Sequence, residues 1–489
     1  MRPRVVAAWV VALACAVLLM GCGGRGASST PPASGAARVI PADALAYVSV
    51  SLDAGRSAVR QASATVIPLP GYRELLTGLR SRLSAITGVP FGTGIRPWLG
   101  TEAAVALVPE ADSASELIVL GVKRPALASR FVATVTTAAA RLVDGYVVVG
   151  EPAIVAAAGR GASLAANVGF RRAESVAAPD RVLDAYATGR GLSELLGGHT
   201  GVEGVLAQVA SAEAPATVAA ALSPTGDGLR LSVRLTRSRP AAVVRFRPAL
   251  AAALPASTAG LVQMPSLTAS GPEILAALAA ASGSDATAGL LGRLGPALRD
   301  QGVALGPLER LFSGPSAIFV LDGTLGLITD TADARAARLE LGSAGQALAE
   351  LFAPRVSAGV EPVVSTRSVK DTQVTDYQQG AASQLAYAVF GGHVVLDTSA
   401  GALTAIIDQT RSLASTPLYR SVLAGSGPSA GPVLFGAINR LVRPGGLSGL
   451  LQQLDLQRAI PTLGRISAAG LTSTGGTSET TAEMFFTIS

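Results

Sequence analysis

Among the side chains able to do chemistry, Cys22 has the most informative surroundings. It closes the tetrad Leu19-Met20-Gly21-Cys22, which follows Met1-Arg2-Pro3-Arg4 and a sixteen-residue, largely apolar run from Val5 to Met20. A basic start, an apolar run and small residues at the cut are the anatomy of a secretory signal peptide. The tetrad resembles the bacterial lipobox. Cleavage is therefore expected between Gly21 and Cys22, with a diacylglyceryl group on the Cys22 thiol. The run falls short of the roughly 20 residues that span a bilayer. An ordinary cleaved signal is a competing reading; a lipobox at Cys15 leaves too short an apolar run. Two acyl chains of the palmitate kind grip a bilayer far better than one. The expectation is thus a lipoprotein at the cell membrane, on its extracytoplasmic face.

The other reactive residue types sit in less telling surroundings. Gly427-Pro428-Ser429-Ala430-Gly431 fits G-x-S-x-G, but a helix is expected before it and a strand after it, the reverse of a nucleophile elbow. No histidine follows Ser429 to complete a triad. The two histidines are His199, in a Gly-Gly-His-Thr-Gly loop, and His393, read as a packing residue in a strand. Without a thiolate or an H-E-x-x-H motif they make a weak metal site. There is no Gly-Lys pair for a phosphate loop and no G-x-G-x-x-G after a strand. Nothing in the spacing singles out two of the 33 carboxylates. No catalytic, cofactor-binding or metal residue is assigned, and the chain is not expected to be an enzyme.

Composition narrows the class further. Both cysteines, Cys15 and Cys22, lie in or at the edge of the signal, so disulfides cannot brace the mature chain. Hydrophobic residues make up 49%, enough to stabilise a body of this length by burial. Net charge is +6, and Arg2 and Arg4 leave with the signal. Lys123 and Lys370 are the only lysines. This is the arginine-for-lysine bias of a high-GC genome, and no basic stripe is interleaved with aromatics to mark a nucleic-acid partner.

The elements form an order that runs twice. After a Gly/Ser/Pro-rich stretch come a strand from Leu45 to Val50, a helix over 72–86, strands over 103–108 and 117–122, a helix over 125–142 and a strand over 145–150. A helix follows from Pro152, and a hairpin of Val218–Leu222 and Leu229–Arg237 closes the half, its last strand read as packed on one face and solvated on the other. Then Leu254-Pro255-Ala256 echoes Ile40-Pro41-Ala42 at an offset of 214, and Ala103–Leu107 meets Ala317–Leu321 at the same offset. Gly145–Val149 meets Gly392–Leu396 at 247, and Leu222 and Leu235 meet Leu471 and Met484 at 249. Trp98 aligns with Phe312, an aromatic pair read as core. Residues 1–21 read as signal, 22–38 as a lipidated flexible tether, 39–239 as a first repeat and 240–489 as a second, with an insertion around 331–384. The fold class expected is α+β: two tandem homologous repeats, each a mixed or antiparallel sheet with helices on one face. Arg234, Arg237, Arg239, Arg245 and Arg247 crowd the junction, read mainly as a solvated strand face and secondarily as an anionic contact surface.

With these motifs in view, Pro41-Ala42-Asp43-Ala44-Leu45-Ala46-Tyr47-Val48, Pro97-Trp98-Leu99-Gly100, Val147–Gly150 and Ser412–Tyr419 resemble an actinobacterial envelope lipoprotein family catalogued as domain of unknown function 3352. The resemblance implies no activity and no binding residue. The second repeat lacks the Asp and Tyr of the opening motif, so any role they have would be confined to the first. The expected function is that of a non-catalytic binding or structural protein of the cell envelope. A carrier of a lipid or other apolar ligand, in a cavity within or between the repeats, and an unrecognised envelope enzyme are the alternatives. The expected partners are the membrane, through Cys22, and an envelope protein or apolar ligand.

Overall fold

The computed structural model describes residues 34–110, 113–175, 177–196, 215–240, 242–268, 310–352, 363–379, 382–423, 427–442 and 463–488. Gly21, Cys22 and His199 lie outside the described residues. No helix among those described is long and apolar enough to cross a membrane.

Among the described residues eighteen strands form one sheet. The N-terminal half supplies β1 (Ala46–Ser51), β2 (Leu99–Pro109), β3 (Ala114–Val122), β4 (Ala139–Val143), β5 (Tyr146–Gly150), β6 (Leu183–Thr188), β7 (Pro215–Pro224) and β8 (Gly228–Arg237). The C-terminal half supplies β9 (Gly260–Met264), β10 (Ser316–Leu321), β11 (Thr324–Asp330), β12 (Val363–Val369), β13 (Thr372–Gln379) and β14 (Ala382–Phe390). It continues with β15 (His393–Asp397), β16 (Val433–Gly436), β17 (Ile466–Gly475) and β18 (Glu479–Ile488).

Across the sheet the N-terminal half reads β4-β5-β3-β2-β1-β6-β7-β8. The C-terminal half reads β12-β13-β14-β15-β11-β10-β9-β16-β17-β18. Every pairing between described strands is antiparallel, and with the helices this makes an α+β protein. The halves join where β8 pairs with β18, with Ser232 opposite Glu483 near the middle. Gly228 permits that approach: a Cβ there would sit 1.7 Å from the Phe486 carbonyl oxygen. The C-terminal half has two strands more, β12 and β13, both within 331–384.

Helices cover both faces, not one. In the N-terminal half Val48, Val50, Val105 and Ile118 pack under helices Ser57–Val66, Tyr72–Thr87 and Pro125–Thr134. Their neighbours Tyr47, Ala104, Ala106 and Leu117 pack on the other face, under Pro152–Ala157 and Val168–Glu174. All six residues of β1 are therefore buried, as befits a central strand apolar on both sides. The C-terminal half is layered likewise, with Ala400–Ile407 and Pro417–Leu423 on one face and Ala334–Phe352 on the other.

Three further expectations change. The helix expected over 125–142 stops at Thr134, before β-branched Val135-Thr136-Thr137, and Ala139–Val143 becomes a strand. An Asp144-Gly145 turn with φ of 47° and 83° pairs it with β5, the two-positive-φ geometry that Asp-Gly favours. Packing also begins inside the stretch read as tether: Gly35–Arg38 forms a short helical turn with Ala36 and Ala37 buried. Finally, β8 is half-buried on both faces along nearly its whole length, because β18 and β7 flank it.

Register corrects the offsets. Ala46 lies opposite Leu107, whereas Gly260, 214 residues after Ala46, lies opposite Val320, only 213 after Leu107. A one-residue slip exchanges strand faces, so Ala104 corresponds to buried Ala317 and not to Ile318. Where β6 pairs with β7, Ala185 faces Ala220, while Leu434, 249 residues on from Ala185, faces Leu471, 251 on from Ala220. A two-residue difference keeps the faces.

Candidate functional site

A cleft of 210 Å³ lies beside the β8–β18 seam, on the face carrying Tyr47. Small residues make room for it: Ala219, Ala220 and Ala221 on β7, and Ala173, Ala177 and Ala178 at and beyond the end of helix Val168–Glu174. The Asn167 side chain starts that helix by accepting the Phe170 N–H at 3.1 Å. Phe170 then packs edge-on to Tyr47 at 5.4 Å and to Tyr186 at 5.5 Å between ring centres.

Charges sit at the cleft wall and behind it. Arg181 donates to Glu174 at 2.6 Å and also to Asp184. Arg56 backs this cluster, donating to the carbonyls of Pro179 at 3.1 Å and Arg181 at 2.8 Å. Burial still pushes the Asp184 carboxyl up to about 7; the Glu174 charge adds to this and Arg181 opposes it. Arg234 pairs with Glu479 at 2.7 Å across the seam, and Arg172 reaches the same carboxylate at 3.1 Å. Arg237 donates to Thr480 at 2.9 Å and Arg245 to the Gly475 carbonyl at 2.7 Å. Three of the five junction arginines therefore bind the C-terminal hairpin, where a solvated strand face was expected; Arg239 and Arg247 are exposed.

At the cleft Arg230 Nε has no hydrogen-bond partner among the described residues, and the buried Tyr47 hydroxyl has no acceptor there, only the Ser49 hydroxyl beside it. Burial raises the Tyr47 hydroxyl pKa well above its ordinary value; the Glu102 charge adds to this and the Ser49 hydroxyl opposes it. Arg230 has only a long 3.9 Å approach to Asp180, and Glu483 has no ion pair among the described residues.

Elsewhere, Glu102 accepts the Ala36 N–H at 3.1 Å and the Tyr146 hydroxyl at 2.7 Å, clasping the Gly35–Arg38 turn to β2. Asp397 is pushed up to about 7 by burial, as is Glu116, which lies 3.7 Å from Arg82. Among the described residues no three His, Cys, Asp or Glu side chains are placed to hold a metal ion. An open groove of 680 Å³ runs past Arg80, Phe91 and Arg96.

The Ser429 hydroxyl is occupied by the carbonyls of Gly431 at 2.8 Å and Ser473 at 3.0 Å. His393 is not a packing residue: it is half-buried, and its Nδ1 lies 2.8 Å from Asp330 across the β11–β15 pair. Trp98 is core, 4.9 Å from Phe131 between ring centres, with Nε1 donating to Gly94 at 2.6 Å. Sequence reasoning missed the buried acids. Their signal was a carboxylate inside an apolar strand run, as in Val182-Leu183-Asp184-Ala185-Tyr186 and Val394-Val395-Leu396-Asp397.

No curated protein and no solved structure matches the chain. Residues 5–145 match a family model described as "Protein of unknown function (DUF3352)", which supports the family resemblance over that part of the chain.

Proposed function

We propose that the chain is a lipoprotein of the extracytoplasmic membrane face, anchored through Cys22, that acts as a non-catalytic binding or structural protein of the envelope. The observation that carries this reading is the basic and apolar run ending in Leu19-Met20-Gly21-Cys22. The clasp at Glu102 supports it. Thirteen residues from Cys22 to Ser34 reach at most about 45 Å when extended, so the body is held near the bilayer. We further propose that the halves arose by duplication, which the shared strand connectivity and register support. The cleft favours a polar ligand over the apolar cargo of a carrier, because arginines and carboxylates line it. Intact mass of the membrane-extracted protein tests the anchor: a chain starting at Cys22 with a diacylglyceryl group is expected, and an unmodified Cys22 contradicts it.

A further inference from the structure

We propose that the cleft beside the β8–β18 seam binds one neutral sugar ring, as a unit of an envelope glycan. Its unmet groups call for a ligand that both accepts and donates. Tyr47 and Arg230 offer buried hydrogens, while Glu483 offers acceptor oxygens. A hydroxyl group serves both roles without bringing charge. Charges of both signs line the cleft, Arg230 and Arg234 beside Glu174, Asp184 and Glu483, with Arg181 behind. A carboxylate ligand would meet the unpaired Glu483, and an ammonium ligand would meet the arginines.

Size agrees. At 210 Å³ the cleft is smaller than the roughly 300–1,000 Å³ of drug-sized sites and holds about seven waters' volume. One pyranose ring fits that space. The Phe170 and Tyr186 rings and the β7 alanines supply apolar surface for its C–H face. Among the described residues, the matching place in the C-terminal half is filled by Leu261, Leu423, Val433 and Phe435.

The inference rests on the binding reading above but not on the anchor. The detergent-solubilised full chain is titrated with methyl glucoside, methyl galactoside and methyl mannoside, with glucuronate and glucosamine as charged controls, by saturation-transfer NMR. At least one neutral glycoside is expected to bind more tightly than either charged sugar. Tyr47→Phe is expected to weaken it roughly fivefold while leaving the thermal midpoint unchanged or higher, since it deletes a buried hydroxyl that has no acceptor. Ala221→Leu, which fills the cleft, is expected to abolish binding should Tyr47→Phe fold poorly. Failure of all three neutral glycosides, tighter binding of a charged sugar, or equal affinity in the folded variants overturns the proposal. A lipidated chain that ignores glycosides sinks this inference alone; an unmodified Cys22 on a chain that binds them sinks only the anchor.

Discussion

The two halves of the sheet share an order of strands and differ in what they put at one place. In the N-terminal half Phe170 meets Tyr186 at 5.5 Å beside an open polar cleft. In the C-terminal half Tyr419 meets Phe435 at 5.2 Å, and the surroundings are packed. Even the cap is shared, Asn167 accepting the Phe170 N–H and Thr416 the Tyr419 N–H. By register, Tyr47, Glu174, Arg181 and Asp184 correspond to Leu261, Leu423, Ala430 and Val433. The frame is held by backbone pairing and aromatic packing, so it tolerates either filling. The ion cluster is therefore not needed to make the fold, and its place beside an opening argues for use.

Breaking the cluster by halves tests that contrast most severely. Arg181→Ala strands Asp184 and Glu174 and is expected to cost about 3–5 kcal/mol in denaturant unfolding. Adding Glu174→Leu and Asp184→Val, the residues of the other half, is expected to recover most of the loss. Opening the filled half is next: Phe435→Ala is expected to cost about 3 kcal/mol by leaving a void.

pH gives a smaller effect. Glu116, Asp184 and Asp397 are raised to about 7 in the fold, against about 4 in an unfolded chain. A carboxyl raised in this way holds its proton more tightly when folded. Its stabilising contribution is full below about pH 4 and is lost as pH rises through about 7. Unfolding free energies are expected to be higher at pH 5 than at pH 8, by about 2–3 kcal/mol for each of these carboxyls. Asp184→Asn should remove its own part of the N-terminal share and leave that of Glu116, and Asp397→Asn should flatten the C-terminal share. The smallest change is Glu479→Gln at the seam, expected to cost under about 1 kcal/mol in the same assay, because the Arg172 and Arg234 pairs are partly exposed.

Much of the frame was legible in the residues. Alternation marked β1 and continuous apolar runs marked β3 and β5, and Tyr72–Ile86 reads as a helix because Leu75, Leu76, Leu79 and Leu83 fall on helical spacing; Gly88 ends it with φ of 71°. What escaped was set by partners distant in sequence. Strand β6, with Asp184 inside it, shows no clean alternation because both its faces are covered. The 213 against 214 slip between β2 and β10 is invisible to matching of alanine- and valine-rich runs, yet pairing with β1 and β9 decides it. The cleft depends on Arg230 and Glu483, which are 253 residues apart and meet only through the β8–β18 seam.

The most direct test of the asymmetry compares matched fillings of the two halves. Ala221 and Thr472 correspond across the hairpins, one beside the cleft and the other beside its packed counterpart. Saturation transfer from the protein's aromatic protons to a bound methyl glycoside is measured for Ala221→Leu and Thr472→Leu. Loss of the signal in the first and its retention in the second is the predicted result. Equal signals in both, or loss only in the second, would contradict a binding role confined to the N-terminal half.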